Sequence, residues 1–252
     1  FHNHREAILD VFGIEISFAR GQGYYIANPD ELDGSGIHTW LLESMSLSNL
    51  LNECADMHSR ILFEKVSSSS RWLTVLVNAM RDGKAIQMSY KSFRRTEPTT
   101  FEAHPYCLKI FRQRWYMLAH TIGKEELRIY SLDRIADIEV LDTPLLLPEN
   151  FDAADFFSDY FGIIIGHNIK PSILELKASA EQARYLESLP LHSSQEVVET
   201  TPEYTIFRYR IVPTFDLKQE ILSRGATLEV LSPEWFREEV ISEIEKMMKN
   251  YL

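Results

Sequence analysis

Between residues 85 and 142, apolar and polar residues alternate in five short runs separated by tight turns. This period of two is the strongest constraint on the fold, because only an extended strand puts successive side chains on opposite faces. "AIQMSYKSF" places Ile86, Met88 and Tyr90 on one face and Gln87, Ser89 and Lys91 on the other. "FEAHPYCLKIF", "RWYMLAHT", "ELRIYSL" and "IADIEVLD" follow, joined by "RTEPTT", "RQ", "IGKE" and "DR". Five short strands with such turns predict a small barrel or a strongly bent sheet.

The flanks have other periods. Residues 1–30 read as a helix, "HREAILDVF", stopped by Gly13, and a hairpin of "IEISFA" and "YYIAN" about "RGQG". A helix followed by a β-ribbon is how a winged helix-turn-helix ends, and a helix and hairpin with no DNA role is the alternative. One helix and one hairpin cannot bury a core alone, so the chain is expected to begin within a domain. Residues 37–82 are a helical linker: a leucine-rich stretch to Val66, a serine run at 67–70 and the amphipathic "RWLTVLVNAMRDG". Such helices serve either as a dimer platform or as padding for the neighbouring sheet. A Pro-containing aromatic connector spans 143–169, and 170–252 alternate as βαββαβ with an extra helix, a ferredoxin-like pattern.

The charge is uneven. The net charge of −11 over 252 residues splits into −5 for 1–83, +5 for 84–134 and −11 for 135–252. A positive island between acidic flanks points to a local anion site, or to a solvated basic sheet face. No apolar run approaches the roughly 18 residues of a membrane span, and no signal peptide opens the sequence. Cys54 and Cys107 are the only cysteines, which fits a reducing cytoplasm.

Catalytic and metal signals are weak. Cys54 and His58 share a helix face but make only two ligands, and on a strand His104 and Cys107 fall on opposite faces. G-x-S-x-G, P-loop and G-x-G-x-x-G motifs are absent from the sequence. No metal, no cofactor and no catalytic residue is expected. The third and fourth runs of the sheet region are different: in "RWYML", Arg114 and Tyr116 share a face opposite Trp115 and Met117, and in "ELRIYSL" Arg128 shares one with Tyr130. Arginine forks grip phosphate and aromatic faces stack on bases. Alternatively, Arg128 and Arg134 are structural and pair with Asp133, Asp137 or Glu126.

"RWYMLAH" followed by "LRIYSLDRI" resembles the WYL domain of bacterial transcription regulators. Its signature reads here as Trp115-Tyr116-Met117, Arg128-x-Tyr130 and Asp133-Arg134-Ile135, with Ile86, Tyr90, Pro105 and Leu108 upstream. The third signature position is Met117 instead of leucine, a swap of similar volume. The resemblance covers 84–142 and extends outward. Residues 1–30 resemble the last helix and wing of a winged helix-turn-helix, and 170–252 resemble the family's C-terminal extension.

The resemblance implies an α+β chain: a partial winged helix, a helical linker, an Sm/SH3-like barrel and a ferredoxin-like C-terminal domain. It implies a cytoplasmic, homodimeric regulator with no membrane association. Its barrel would sense single-stranded nucleic acid or a nucleotide and modulate DNA binding. The expected contacts are Tyr90, Lys91, Arg114, Tyr116, Arg128 and Arg134, with Lys109 and Arg112 in second rank and His104 at the rim. An RNA-binding or nuclease-modulating accessory protein without operator control is the alternative, and a nucleotide-acting enzyme using His104 and Cys107 a third.

Overall fold

The computed structural model describes residues 16–19, 23–27, 70–166 and 169–252. The chain divides into two compact units, residues 1–64 and 65–252. In the first, β1 (Ile16–Ala19) and β2 (Gly23–Ile26) pair antiparallel, from Ile16 opposite Ile26 to Ala19 opposite Gly23. This is the hairpin expected from the sequence. The helix expected before it, and the linker stretch before Ser70, lie outside the described residues.

The second unit opens with α1 (Ser70–Arg81), closed by Gly83 at φ +64°, a conformation that glycine adopts without strain. A five-stranded antiparallel sheet follows: β3 (Lys84–Tyr90), β4 (Thr99–Phe111), β5 (Arg114–Thr121), β6 (Arg128–Ser131) and β7 (Ile135–Pro144). Its order is β6-β5-β4-β3-β7. The alternation read from the sequence sets the inner face. Ile86, Met88, Tyr90, Ala103, Met117, Ala119 and Tyr130 are buried there against Leu76 and Ala79 of α1. Trp72 of α1 donates its indole N–H to the carbonyl of Ile135 at 3.0 Å, so the helix is fixed to the start of β7. Burying Leu76 alone contributes about 1.5–3 kcal/mol.

The expected barrel is not closed. The pairings end at β6 on one side and β7 on the other. β6 has only four residues, and a 3₁₀ turn at Leu132–Arg134 carries the chain across the gap where a ladder would be needed. Register shifts at Ser89/Tyr90 and between Pro105 and Cys107 bend the sheet instead.

After a short helix α2 (Ala153–Phe157), β8 (Ser172–Ser179), α3 (Ala180–Ser188), β9 (Glu196–Thr200), β10 (Tyr204–Ile211), α4 (Phe215–Ser223), β11 (Leu228–Ser232) and α5 (Glu234–Lys249) follow. The four strands form one antiparallel sheet in the order β11-β8-β10-β9. Its inner face is a separate core of Leu174, Leu176, Phe207, Tyr209, Leu217, Ile221 and Phe236. Tyr209 donates to Gln195 at 2.9 Å, and the Gln195 amide donates to the Leu186 carbonyl at 2.8 Å, so the buried hydroxyl is satisfied. No helix among the described residues is long and apolar enough to cross a membrane.

Candidate functional site

Tyr90 ends β3 on the inner face, so its ring closes the core while its hydroxyl reaches the rim. That hydroxyl accepts the Arg134 Nε–H at 2.8 Å, a second N–H from the same guanidinium, and the Ser131 backbone N–H at 3.3 Å. Tyr130, on β6, meets Tyr90 edge-on at 5.0 Å and shares a 2.6 Å hydrogen bond with Thr121. Burial pushes the Tyr130 phenol up, and it stays a neutral hydrogen-bonding group. Phe101 of β4 lies 5.5 Å from Tyr130. The Arg134 guanidinium sits 4.9 Å from the Tyr90 ring centroid and 4.3 Å from that of Phe93, which is 81% exposed. Stacking on two rings holds its planar fork in place.

Above these rings lies an open cleft of about 810 Å³. Tyr90, Phe101 and Tyr130 line it together with Arg94, Arg95, Lys124, Arg128 and Arg134, and Glu126 is the one acidic lining residue. Among the described residues, Arg94, Arg95, Lys124 and Arg128 have no carboxylate within 4 Å. A second cleft of about 370 Å³ carries Lys91, Phe93, Asp133 and shares Arg95 and Arg134 with the first. The arrangement can hold a flat, polyanionic ligand: cations grip the charge and rings stack on the plane.

Three of the residues singled out in the sequence, Tyr90, Arg128 and Arg134, line the larger cleft, and Lys91 lines the smaller. The other five lie elsewhere. Tyr116 pairs with Lys109 and Ser131 while Met117, beside it, is in the core, so Tyr116 and Arg114 occupy the opposite face of the sheet. Arg114 approaches Asp133 at 3.8 Å. Lys109 holds its ammonium 4.0 Å over Phe157, and burial lowers its pKa against the charge of Asp216. Arg112 forms the tip of the β4–β5 hairpin and bonds Glu220 of α4 at 2.6 Å. Arg112 and Gln113 both take positive φ, 44° and 65°, as a two-residue hairpin turn requires.

His104 is fully buried, not at a rim. Its Nδ1 accepts the Leu146 N–H at 3.1 Å, and its Nε2 lies 3.6 Å from Glu102 with no hydrogen-bond partner. The expectation that His104 and Cys107 point to opposite faces fails because the bulge at Tyr106 adds one residue: His104 pairs with His120 and Cys107 with Leu118, two apart on one face. Burial pushes the Cys107 thiol up to about 11, so it is not a ready thiolate. Among the described residues no three His, Cys, Asp or Glu side chains could hold a metal together.

Sequence reasoning missed Arg94, Arg95, Lys124 and Phe101. The first three stand in "RTEPTT" and "IGKE" and their flanks, which carry a turn signal and nothing about where the turn points. Phe101 did carry a usable signal, since it alternates with Ala103 on the inner face.

The WYL domain model matches residues 71–140, and the WCX domain model matches residues 172–248. No curated protein matches the chain. Among solved structures, the chain is similar to the proteasome accessory factor B/C (PafBC) of Arthrobacter aurescens. That match has 17% identity and a TM-score of 0.32, over 75% of this chain and 28% of that one. It is also similar to a structure described as a CRISPR Cas-related protein, with 13% identity and a TM-score of 0.42, over 73% of this chain and 52% of that one. The chain thus spans about a quarter to a half of the length of these two structures. The chain carries a WYL domain over residues 71–140 followed by a WCX domain over residues 172–248.

Proposed function

We propose that the chain is part of a transcription regulator whose WYL domain takes an anionic ligand, a single-stranded nucleic acid or a nucleotide. The ligand sits in the cleft between the Tyr90 rim and β6. Its occupancy modulates DNA binding by a winged helix-turn-helix that ends near residue 30. One observation carries the reading: five cations and three aromatic rings surround about 810 Å³ in a chain of net charge −11. That volume falls within the roughly 300–1,000 Å³ of small-ligand sites. Acidic flanks repel a polyanion elsewhere and confine it to this island. The chain is read as a cytoplasmic, homodimeric binding protein and not an enzyme. The connectivity of β8 to β11 and their all-antiparallel order support reading the WCX domain as ferredoxin-like.

The test is the double substitution Arg128→Ala and Arg134→Ala. Binding of labelled dodecathymidylate, an RNA dodecamer and a nucleoside triphosphate is followed across salt concentrations. Removing two phosphate contacts lowers the magnitude of the salt slope for single strands by about 1.4 and affinity by about tenfold or more. Unchanged binding of all three ligands contradicts the reading. Preference for RNA, with no operator protected by the full-length protein, moves the assignment to an RNA-binding accessory protein.

A further inference from the structure

One wall of the larger cleft does not come from the sheet. Ile165, in the connector between the two domains, lines it. Three residues earlier Gly162 lies against α4: a Cβ there would stand 2.2 Å from Asp216 Oδ2 and 2.8 Å from the Phe111 ring. The same Oδ2 accepts the N–H of Ile163 at 2.8 Å and of Ile164 at 3.1 Å. The other oxygen accepts the Leu217 N–H at 3.0 Å and the Thr214 hydroxyl. Asp216 is only 5% exposed, so four donors converge on one buried carboxylate. Hydrogen bonds to a carboxylate are roughly twice as strong as neutral ones, and removing a buried acceptor strands its donors. Glycine is required at 162 because any side chain would push the connector off Asp216.

We infer that the stretch Gly162–Ile165 transmits cleft occupancy to the WCX domain, with Asp216 as its anchor. This rests on the cleft reading above. A ligand that packs on Ile165 restricts the next residues back, Ile164 and Ile163, whose N–H groups are held by α4. The signal therefore arrives at the first turn of α4 without crossing the core of either sheet. A ligand shifts such a clamp only as far as its affinity differs between the held and released connector, and the coupling works equally in both directions. The Arg112–Glu220 bridge joins the same two domains away from the cleft, and Glu220 also holds Arg224 at 2.6 Å, which makes Glu220 the control.

The experiment uses the full chain with labelled dodecathymidylate as probe. Saturating probe slows hydrogen exchange of the Ile163 and Ile164 amides about fivefold or more. Asp216→Asn weakens probe binding about fivefold, the low end of ordinary coupling, while Glu220→Gln leaves it within about twofold. If the probe binds but exchange at 163–164 is unchanged, the coupling is overturned and the cleft reading stands. If the probe does not bind at all, both fall. Should Asp216→Asn fail to fold, exchange in the unaltered chain decides alone.

Discussion

The two sheets of the second unit treat their charges in opposite ways. On the outer face of the WCX sheet, Arg208 bonds Glu175 at 2.8 Å, Tyr204 bonds Glu199 at 2.8 Å and Lys177 lies 4.6 Å over the Tyr204 ring. Arg237 and Lys218 meet Glu229 and Glu239. Around the WYL cleft, four cations stand without a carboxylate within reach among the described residues, and the fifth, Arg134, is held by rings and a phenol. Paired surface charges keep a sheet soluble and single, and contribute little stability. Unneutralised charges of one sign around a concavity repel one another, and an anion relieves that repulsion. This contrast is the basis of the ligand site proposed for the WYL sheet.

The largest effect that sharpens the contrast is on stability. Phe207→Ala, in the WCX core, costs about 3–5 kcal/mol in denaturant unfolding while leaving the salt slope of probe binding unchanged wherever the chain stays folded. A changed slope would mean that the WCX domain shares in binding. Tyr90→Phe comes next. It keeps the ring but strands the Arg134 fork and the Ser131 N–H, so about 1.5–3 kcal/mol is lost, and probe binding weakens with it. Loss of stability with full binding would make Tyr90 a core residue only.

The next effect depends on pH. Burial lowers the pKa of His104 below its ordinary 6.5. As pH falls, the unfolded chain takes up that proton before the folded one does. The stability held by neutral His104 is therefore present above about pH 6.5 and is lost as pH falls through the lower folded value. Protonating Nδ1 also ends its bond from Leu146. His104→Gln retains an acceptor for that N–H and flattens the fall in melting temperature between pH 7 and 5. His192 is shifted the same way by burial in the WCX domain and leaves the remainder of the slope. An equal slope in variant and parent would remove His104 from the account. The smallest effect is that of Arg208→Ala, within about 1 kcal/mol in stability and without effect on binding.

Much of this contrast was legible in the sequence. Alternation placed Ile86, Met88 and Tyr90 inward and put Arg128 with Tyr130, because the β3–β4 and β5–β6 ladders hold their register through these stretches. The period failed at Tyr106, where one extra residue brings Cys107 to the face of His104. It also failed to put Tyr90 and Tyr116 on different faces, since a face can be followed along one strand but not from β3 to β5 without knowing the register. Arg94, Arg95 and Lys124 reach the cleft through turns whose direction is set by tertiary packing. The burial of Asp216 depends on the backbone of residues more than fifty positions away. Nothing in "PTFDLKQE" announces it.

The central claim is that the unneutralised cations of the WYL cleft bind an anion. The most direct test is the salt dependence of dodecathymidylate binding by the parent chain and by Arg94→Ala, Arg95→Ala and Arg128→Ala combined. None of these three side chains forms an ion pair or packs in a core among the described residues, so folding is retained. With about 0.7 units of slope per phosphate contact on a single strand, the magnitude of the slope falls by about 2 and the affinity with it. A slope equal to that of the parent chain would contradict the claim.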